Sequence, residues 1–163
     1  MNFTETENIQ KALVQKLKIN ARYIVAKQDF IEIDPTDLKE VMSVLFSNPA
    51  YYFDLLNCIT CIDKGVEEGS MTLTYTLSSI TKEISVHIKT SIKRDLKDAR
   101  IQSVSKFWAT ADWHEREIYD LFGVQFTNHK DLRRILLPAD WEGHPLRKDY
   151  QEAEKYHSII IKY

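Results

Sequence analysis

Little in this sequence marks a membrane span, a disulfide scaffold or a cofactor site. Its 163 residues include two cysteines, four glycines and four prolines. No apolar run approaches the roughly eighteen residues of a membrane-spanning helix. Two cysteines are too few for a secreted disulfide framework and fit a reducing compartment. The start, Met1-Asn2-Phe3-Thr4-Glu5, has neither the basic opening of a secretory signal nor the arginines of a transit peptide, so the expectation is a soluble chain made where it works, in the cytoplasm. Excess charge of one sign is missing too: 22 Lys and Arg against 24 Asp and Glu give −2. That balance excludes a nucleic-acid binder relying on a broadly cationic surface. It conceals a local split, with 7 basic and 11 acidic residues over 1–81 but 7 basic and 3 acidic over 82–106, a stretch suited to an acidic partner. At this length one compact domain, with a core that needs no staple, is the default.

What is present is pattern. Thr4-x-x-Glu7 has the form of a capping box, and Ile9, Leu13 and Leu17 follow at helical spacing, which predicts a helix over 5–18. Residues 23–26 and 30–33 read as a short strand pair. Asp34-Pro35 is an N-cap with proline at the first helical position, and Leu38, Val41, Met42 and Leu45 give the following helix a buried stripe that Asn48-Pro49 ends. Three strands follow, over 57–62, 71–78 and 84–88. In the middle one Met71, Leu73, Tyr75 and Leu77 face one way, and Thr72, Thr74, Thr76 and Ser78 the other, as in a sheet covered on one face. The order α-β-β-α-β-β-β predicts an α+β fold, a two-layer sandwich of a mixed sheet with both helices on one face.

Beyond residue 103 the character changes. Ala111, Glu115, Ile118 and Phe122 share a helical face, and Gly123 suits a left-handed C-cap. From 124 to 150 neither period persists, although the stretch is rich in arginine, histidine and aromatic residues. Residues 1–123 are therefore expected to form the α+β domain with its terminal helix, and 124–163 an irregular, partner-binding C-terminal arm.

Candidate chemistry is sparse. Cys58-Ile59-Thr60-Cys61 has C-x-x-C spacing, but a redox pair wants its first thiolate at a helix N-terminus, and on a strand positions i and i+3 face opposite sides. No second cysteine pair completes a zinc site, so the two are read as small apolar fillers. Trp113-His114-Glu115-Arg116-Glu117-Ile118 begins like a zinc-protease helix, yet Ile118 stands where the second histidine is required. His129, His144 and His157 have no ligand spacing, and His87 is expected to face solvent. Glu115, Glu117 and Asp120 form a tight acidic cluster. Glu115 lies on an apolar stripe and needs a partner, so a buried Glu–Arg pair is favoured over a catalytic acid, with Arg116 and Asp120 paired at i and i+4. No G-x-G-x-x-G, P-loop or G-x-S-x-G occurs. No catalytic residue, metal ligand or cofactor ligand is assigned.

One ordered set of motifs is more specific. Glu115-Arg116-Glu117-Ile118-Tyr119-Asp120-Leu121-Phe122-Gly123, then His129, then Leu132-Arg133-Arg134-Ile135-Leu136, then Trp141-Glu142-Gly143-His144-Pro145-Leu146-Arg147-Lys148-Asp149-Tyr150 closely resembles the signature of one family. This is the C-type, or 30 kDa, subunit family of the proton-pumping NADH:quinone oxidoreductase, respiratory complex I. Over residues 2–90 the likeness lies only in the order of elements, together with Leu56 and Asp63. The family usually has His-Pro before its Asp-Leu-Arg-Arg block, whereas here Lys130 follows His129, which loosens one loop.

The resemblance implies a non-catalytic peripheral-arm subunit without flavin or iron–sulfur cluster. Such a subunit scaffolds the large quinone-site protein of the complex, its D subunit, while electrons pass from NADH to quinone, coupled to proton translocation. It implies subunits B, I and G as neighbours, membrane association only through the complex, and a place on the cytoplasmic side of the bacterial cell membrane. Partner binding is expected at Glu115, Arg116, Asp120, Arg133, Arg134, Trp141, His144, Arg147, Asp149 and Tyr150. Tryptophan, tyrosine and arginine are the residue types that dominate interface energetics. His144-Pro145 favours extended backbone, and Arg147 is expected to grip a neighbouring subunit bidentately. The alternatives are the equivalent subunit of a membrane-bound hydrogenase or of a ferredoxin-linked plastid complex, and, in another class, a stand-alone carboxylate hydrolase using Glu115 and Asp120.

Overall fold

The computed structural model describes residues 3–26 and 29–161, with side chains from residue 5 onward. Helix α1 (Phe3–Leu17) buries Ile9 and Leu13. The Thr4 side chain on which a capping box depends lies outside the described residues. Strands β1 (Arg22–Ile24) and β2 (Phe30–Ile33) pair antiparallel. Asp34 then caps a 3-10 turn, Pro35–Asp37, by accepting the Thr36 N–H at 2.9 Å. Helix α2 (Leu38–Ser47) buries Leu38, Val41, Met42 and Leu45, and Asn48, extended before Pro49, ends it.

Strands β3 (Leu55–Asp63), β4 (Ser70–Ser79) and β5 (Ile84–Lys93) complete a five-stranded sheet of order β1-β2-β5-β4-β3. The β2–β5 pairing is parallel and the others antiparallel, so the sheet is mixed and the fold is α+β as expected. Met71, Leu73, Tyr75 and Leu77 are fully buried and join α1 and α2 in one core, which places both helices on the same face. On the other face hydroxyl and imidazole pairs cross between strands: Thr72–Ser91 at 3.3 Å, Thr76–His87 at 3.1 Å and Ser78–Ser85 at 2.9 Å. In β3 the register shifts between Leu56 and Cys58, and the bulge lets both Leu56 and Ile59 point into the core. Cys58 lies opposite Thr76 and Cys61 opposite Leu73, so the two thiols occupy opposite faces, as the spacing requires.

The C-terminal half holds two short strand pairings that the sequence pattern does not predict. Strands β6 (Arg100–Gln102) and β7 (Gln125–Thr127) run parallel on either side of helix α3 (Thr110–Phe122). Three residues are too few to show a period. Strands β8 (Lys155–Tyr156) and β9 (Ile159–Ile160) form a hairpin whose two turn residues, His157 and Ser158, both have positive φ. Helix α3 packs along β3 and is pinned there by Trp108 Nε1 donating to Phe53 O at 3.0 Å and Thr110 Oγ1 donating to Leu56 O at 3.3 Å. Gly123 ends α3 with φ 81 and donates its N–H to Tyr119 O. A Cβ there would lie 2.5 Å from Leu96 Cδ2 and 2.7 Å from His144 Nε2, so glycine is required by space as well as by backbone.

Candidate partner-binding site

An α-helix leaves its last four carbonyls without intrahelical partners. In α3 those carbonyls organise the segment that follows. Gly123 N covers Tyr119 O; Arg134 Nη1 and His144 Nδ1 donate to Asp120 O at 3.0 and 2.9 Å; Leu146 N donates to Leu121 O at 3.1 Å; Arg147 Nη1 donates to Phe122 O at 3.1 Å. The residues from 134 to 147 are in effect the C-cap of α3. Burial lowers the tendency of His144 to take a proton, and its Nδ1–H is held on Asp120 O.

The Asp120 side chain works in the same direction. It is fully buried, and its Oδ2 accepts three consecutive backbone N–H groups, from Ile135 at 3.0 Å, Leu136 at 2.8 Å and Leu137 at 2.9 Å. Oδ1 accepts Arg134 Nη1 at 2.6 Å. Burial by itself would raise the carboxyl, but these bonds outweigh it and hold Asp120 below the ordinary carboxylate range. Arg134 Nη2 reaches on to Trp141 O and Gly143 O, both at 2.9 Å, so one guanidinium ties the helix to two further points of the arm. The expected Arg116–Asp120 pair does not form, because Asp120 turns inward to this loop. Arg116 instead donates to Arg133 O and Arg134 O, and its guanidinium lies 5.5 Å from the Trp113 ring centroid.

Glu115 is fully buried but has no arginine partner, contrary to expectation. Its Oε2 accepts Ser103 Oγ–H at 2.6 Å and its Oε1 the Val104 N–H at 2.7 Å. Burial dominates and pushes the carboxyl up to about 7; the two hydrogen bonds oppose this and the Asp112 carboxylate adds to it. His129, whose side chain is wholly buried, covers the site. Its Nδ1 accepts the Asp131 N–H, which leaves the Nε2 proton to meet Asp112 Oδ1 at 2.7 Å, with Glu115 Oε2 3.8 Å away.

A second cluster lies where the arm crosses the end of the sheet. Asp63, the last residue of β3, is gripped bidentately by Arg94, Nε to Oδ1 at 2.7 Å and Nη2 to Oδ2 at 3.0 Å. It also accepts the N–H groups of Gly65 and Lys148 at 3.0 and 2.8 Å. Burial pulls Asp63 up, but these donors prevail and keep it charged far below the usual range. Arg94 also binds Asp149, and Arg147 Nη2 donates to Arg94 O at 2.9 Å. Arg147 thus makes its two-pronged contact with backbone carbonyls of its own chain.

Most of the ten expected site residues therefore gather around α3, while Asp149 joins Arg94 at the end of the sheet. Glu115 and Asp120 face inward, while Arg134, His144 and Arg147 hold the arm down. Trp141 and Tyr150 are half-buried, Trp141 tilted against Tyr156 at 5.4 Å and Tyr150 against Gly143. Arg133 faces solvent beside Asp131, and Trp113 and Leu136 are each about six-tenths exposed. The sequence reading missed Arg94 and Ser103, which no period or motif distinguishes from their neighbours. Of the two carboxylates proposed for a hydrolase, Asp120 is filled by four internal donors and Glu115 is fully buried on Ser103 and Val104, so neither is open to a substrate. Among the described residues no group of three or more His, Cys, Asp or Glu is placed to hold a metal ion.

Comparison with known proteins gives the family. The family described as respiratory-chain NADH dehydrogenase, 30 Kd subunit, matches residues 31–156, a span that takes in β3, β4, β5, α3 and most of the arm. The NADH-quinone oxidoreductase C subunit of Chlorobium phaeobacteroides is 39% identical over 137 residues, covering 82% of this chain and 80% of the relative. The C subunit of Chloroherpeton thalassium is 43% identical over 112 residues, which span 68% of this chain but 45% of that longer relative. A Psychrobacter arcticus relative, named as a C/D subunit of the same enzyme, is 39% identical over 121 residues, 70% of this chain and 20% of its own length. Among solved structures, a chain of the membrane-bound sulfane sulfur reductase, an archaeal respiratory membrane complex, superposes with a TM-score of 0.74 at 25% identity, covering 90% of this chain and 86% of that one. The chain belongs to the 30 kDa subunit family of the respiratory-chain NADH dehydrogenase.

Proposed function

We propose that this chain is a non-catalytic peripheral-arm subunit of an NADH:quinone oxidoreductase, whose work is to hold the quinone-site D subunit in place while electrons pass from NADH to quinone. The observation that carries the reading is how the signature residues are used. Arg134, His144 and Arg147 fold the arm back onto α3, and Asp120, the acid at the end of that helix, is filled by internal donors. Chemistry on a substrate needs an open group; a docking surface needs a fixed shape. Trp113, Arg133, Leu136 and the outer edges of Trp141 and Tyr150 supply such a surface. The D subunit is the partner proposed, and the relative named C/D supports it by carrying both designations in one polypeptide. Subunits B, I and G are the further neighbours proposed. None of the helices among the described residues is long and apolar enough to cross a membrane, in keeping with attachment through the complex on the cytoplasmic side of a bacterial cell membrane. The test is purification of tagged chain from its own cells without dissociating detergent, followed by mass spectrometry. The D and B subunits and NADH:quinone activity are expected in the eluate. Recovery of a stable monomer alone would overturn the reading.

A further inference from the structure

We propose that Arg94, with Asp63, is the positioning residue of the arm, clasping residues 144–149 to the domain before any partner arrives. The proposal rests on the reading of the arm as the docking surface for the quinone-site D subunit. Asp63 closes β3 and Arg94 follows β5, so the pair stands at one end of the sheet, on the two strands that flank β4. A guanidinium presents five N–H donors in a fixed fork. Here Nε and Nη2 hold Asp63, while Nη1 reaches Asp149 Oδ2 at 3.1 Å and Nη2 also binds Asp149 Oδ1. One arginine is thereby shared by a carboxylate of the sheet and a carboxylate of the arm, 55 residues further along the chain. The grip is reciprocal. Asp63 accepts the Lys148 N–H, and the carbonyl of Arg94 accepts Arg147 Nη2, whose other prong holds Phe122 O at the end of α3.

Two features separate this from an ordinary internal ion pair. Asp63, taken alone, would be satisfied by Arg94 and the Gly65 N–H, so a purely structural pair has no need of the arm. Arg94 is 7% exposed and therefore has no surface with which to touch a partner itself. Its effect on docking must pass through residues 144–149. An arm already ordered in the free subunit loses less conformational freedom on association than one that folds on contact.

The test is amide hydrogen exchange on the isolated full-length chain, together with binding to the purified D subunit of the same complex. In wild type, the amides of Leu146, Lys148 and Tyr150 should be protected without any partner. Arg94→Lys keeps the charge but cannot fork between two carboxylates. Asp149→Asn leaves the Asp63–Arg94 pair intact and loosens only the arm side. Both should lower protection of 146–150 by about tenfold or more, with Leu73 and Tyr75 in β4 unchanged as the folding control. Arg94→Lys should weaken binding to the D subunit by about tenfold or more, roughly 1.4 kcal/mol. Should Arg94→Lys disturb β4 as well, Asp149→Asn carries the exchange test alone. Wild-type arm amides exchanging at unstructured rates would overturn the proposal, as would Arg94→Lys loosening the arm yet binding the D subunit like wild type. Failure of wild type to bind the D subunit, with its arm protected, would instead remove the docking reading and take the positioning role with it.

Discussion

Around β4 the chain closes its core with Met71, Leu73, Tyr75 and Leu77, and around the C-terminal end of α3 it closes a second centre with Asp120, Arg134, His144 and Arg147. The first centre is held by burial of apolar surface, which is non-directional and tolerates a change of shape if volume is kept. The second is held by charged side chains bonded to backbone, where the bonds are directional and a missing member leaves buried groups short of a partner. The same chain thus has a forgiving half and an exacting half. The exacting half carries the signature by which the family is identified.

The hardest test of that contrast pits Arg134 against Leu73. Arg134→Ala removes the cation that pairs with the buried Asp120 carboxylate and should cost about 3–5 kcal/mol, while Leu73→Ala in the sheet core should cost about 2–5 kcal/mol. The conservative changes should then separate them. Leu73→Met should cost less than about 1.5 kcal/mol, whereas Arg134→Lys, which cannot span Asp120, Trp141 O and Gly143 O together, should recover less than half of the alanine loss. Urea unfolding of the four variants measures this. An Arg134→Ala loss below about 1 kcal/mol would mean that the arm rests on the domain without contributing to it.

A second test compares two glycines. Gly69, between β3 and β4, has φ 61 and open space, its nearest prospective Cβ neighbour being Val66 O at 3.9 Å. Alanine there should meet only the left-handed penalty of about 1–2 kcal/mol. Gly123→Ala adds the collisions with Leu96 and His144, and should cost about 2–4 kcal/mol in all. Equal melting shifts for the two would show that the arm yields to a methyl group.

Legibility followed the same divide. Strands β4 and β5 and helix α2 were readable because burial imposes a period on the sequence, and the C-terminal stop of α3 was readable from Gly123. The α3 face was half readable: Ala111, Glu115, Ile118 and Phe122 do share the buried side, but the partner of Glu115 was not. Arginine is the usual answer to a buried acid, and here Ser103 and a backbone N–H give it, from a loop with no distinguishing composition. Arg94 follows Lys93 at the end of β5, and sequence alone does not say which of two adjacent cations turns inward to Asp63. The family resemblance found the arm's residues without revealing that their charges bind their own chain.

That difference reverses the expected effect of changing Glu115. Paired with arginine, its carboxylate would be needed as an anion and Glu115→Gln would be costly. Bonded to Ser103 and Val104 and dominated by burial, the carboxyl has its folded pKa raised from 4.5 to about 7. A raised folded pKa means a contribution fully present below the unfolded value and lost as pH rises through about 7. At pH 8 the ionised group therefore costs the wild type up to about 3 kcal/mol. Glutamine keeps an acceptor for the Val104 N–H and can donate to Ser103 Oγ, so the variant should be at least as stable as wild type at pH 8, with its advantage vanishing below pH 4.5. Asp63 and Asp120 act in the opposite sense: with folded values lowered, their stabilisation is present above the ordinary carboxylate range and is lost as pH falls through their folded values. Unfolding free energies from pH 4 to 8 for wild type and Glu115→Gln test the sign. A variant less stable than wild type at pH 8 would restore a role for the anion.

The smallest expected effect lies within a single strand and sets the two faces of the sheet against each other. After the bulge in β3 the alternation resumes, placing Cys58 on the open face among Thr60, Thr76 and His87 and Cys61 on the core face opposite Leu73. Burial pushes the Cys61 thiol up to about 12, with the Asp63 carboxylate adding to the rise and Arg147 opposing it. Since the thiolate is the reactive form, a thiol reagent at pH 8 should modify Cys58 in the native protein and leave Cys61 untouched until the chain unfolds. Cys61→Ala should cost about 1 kcal/mol, and Cys58→Ala should stay within about 0.5 kcal/mol of wild type. Labelling of Cys61 at the rate of Cys58 would mean that the end of β3 opens readily. It would place a weak point beside the Asp63 carboxylate on which the arm is anchored.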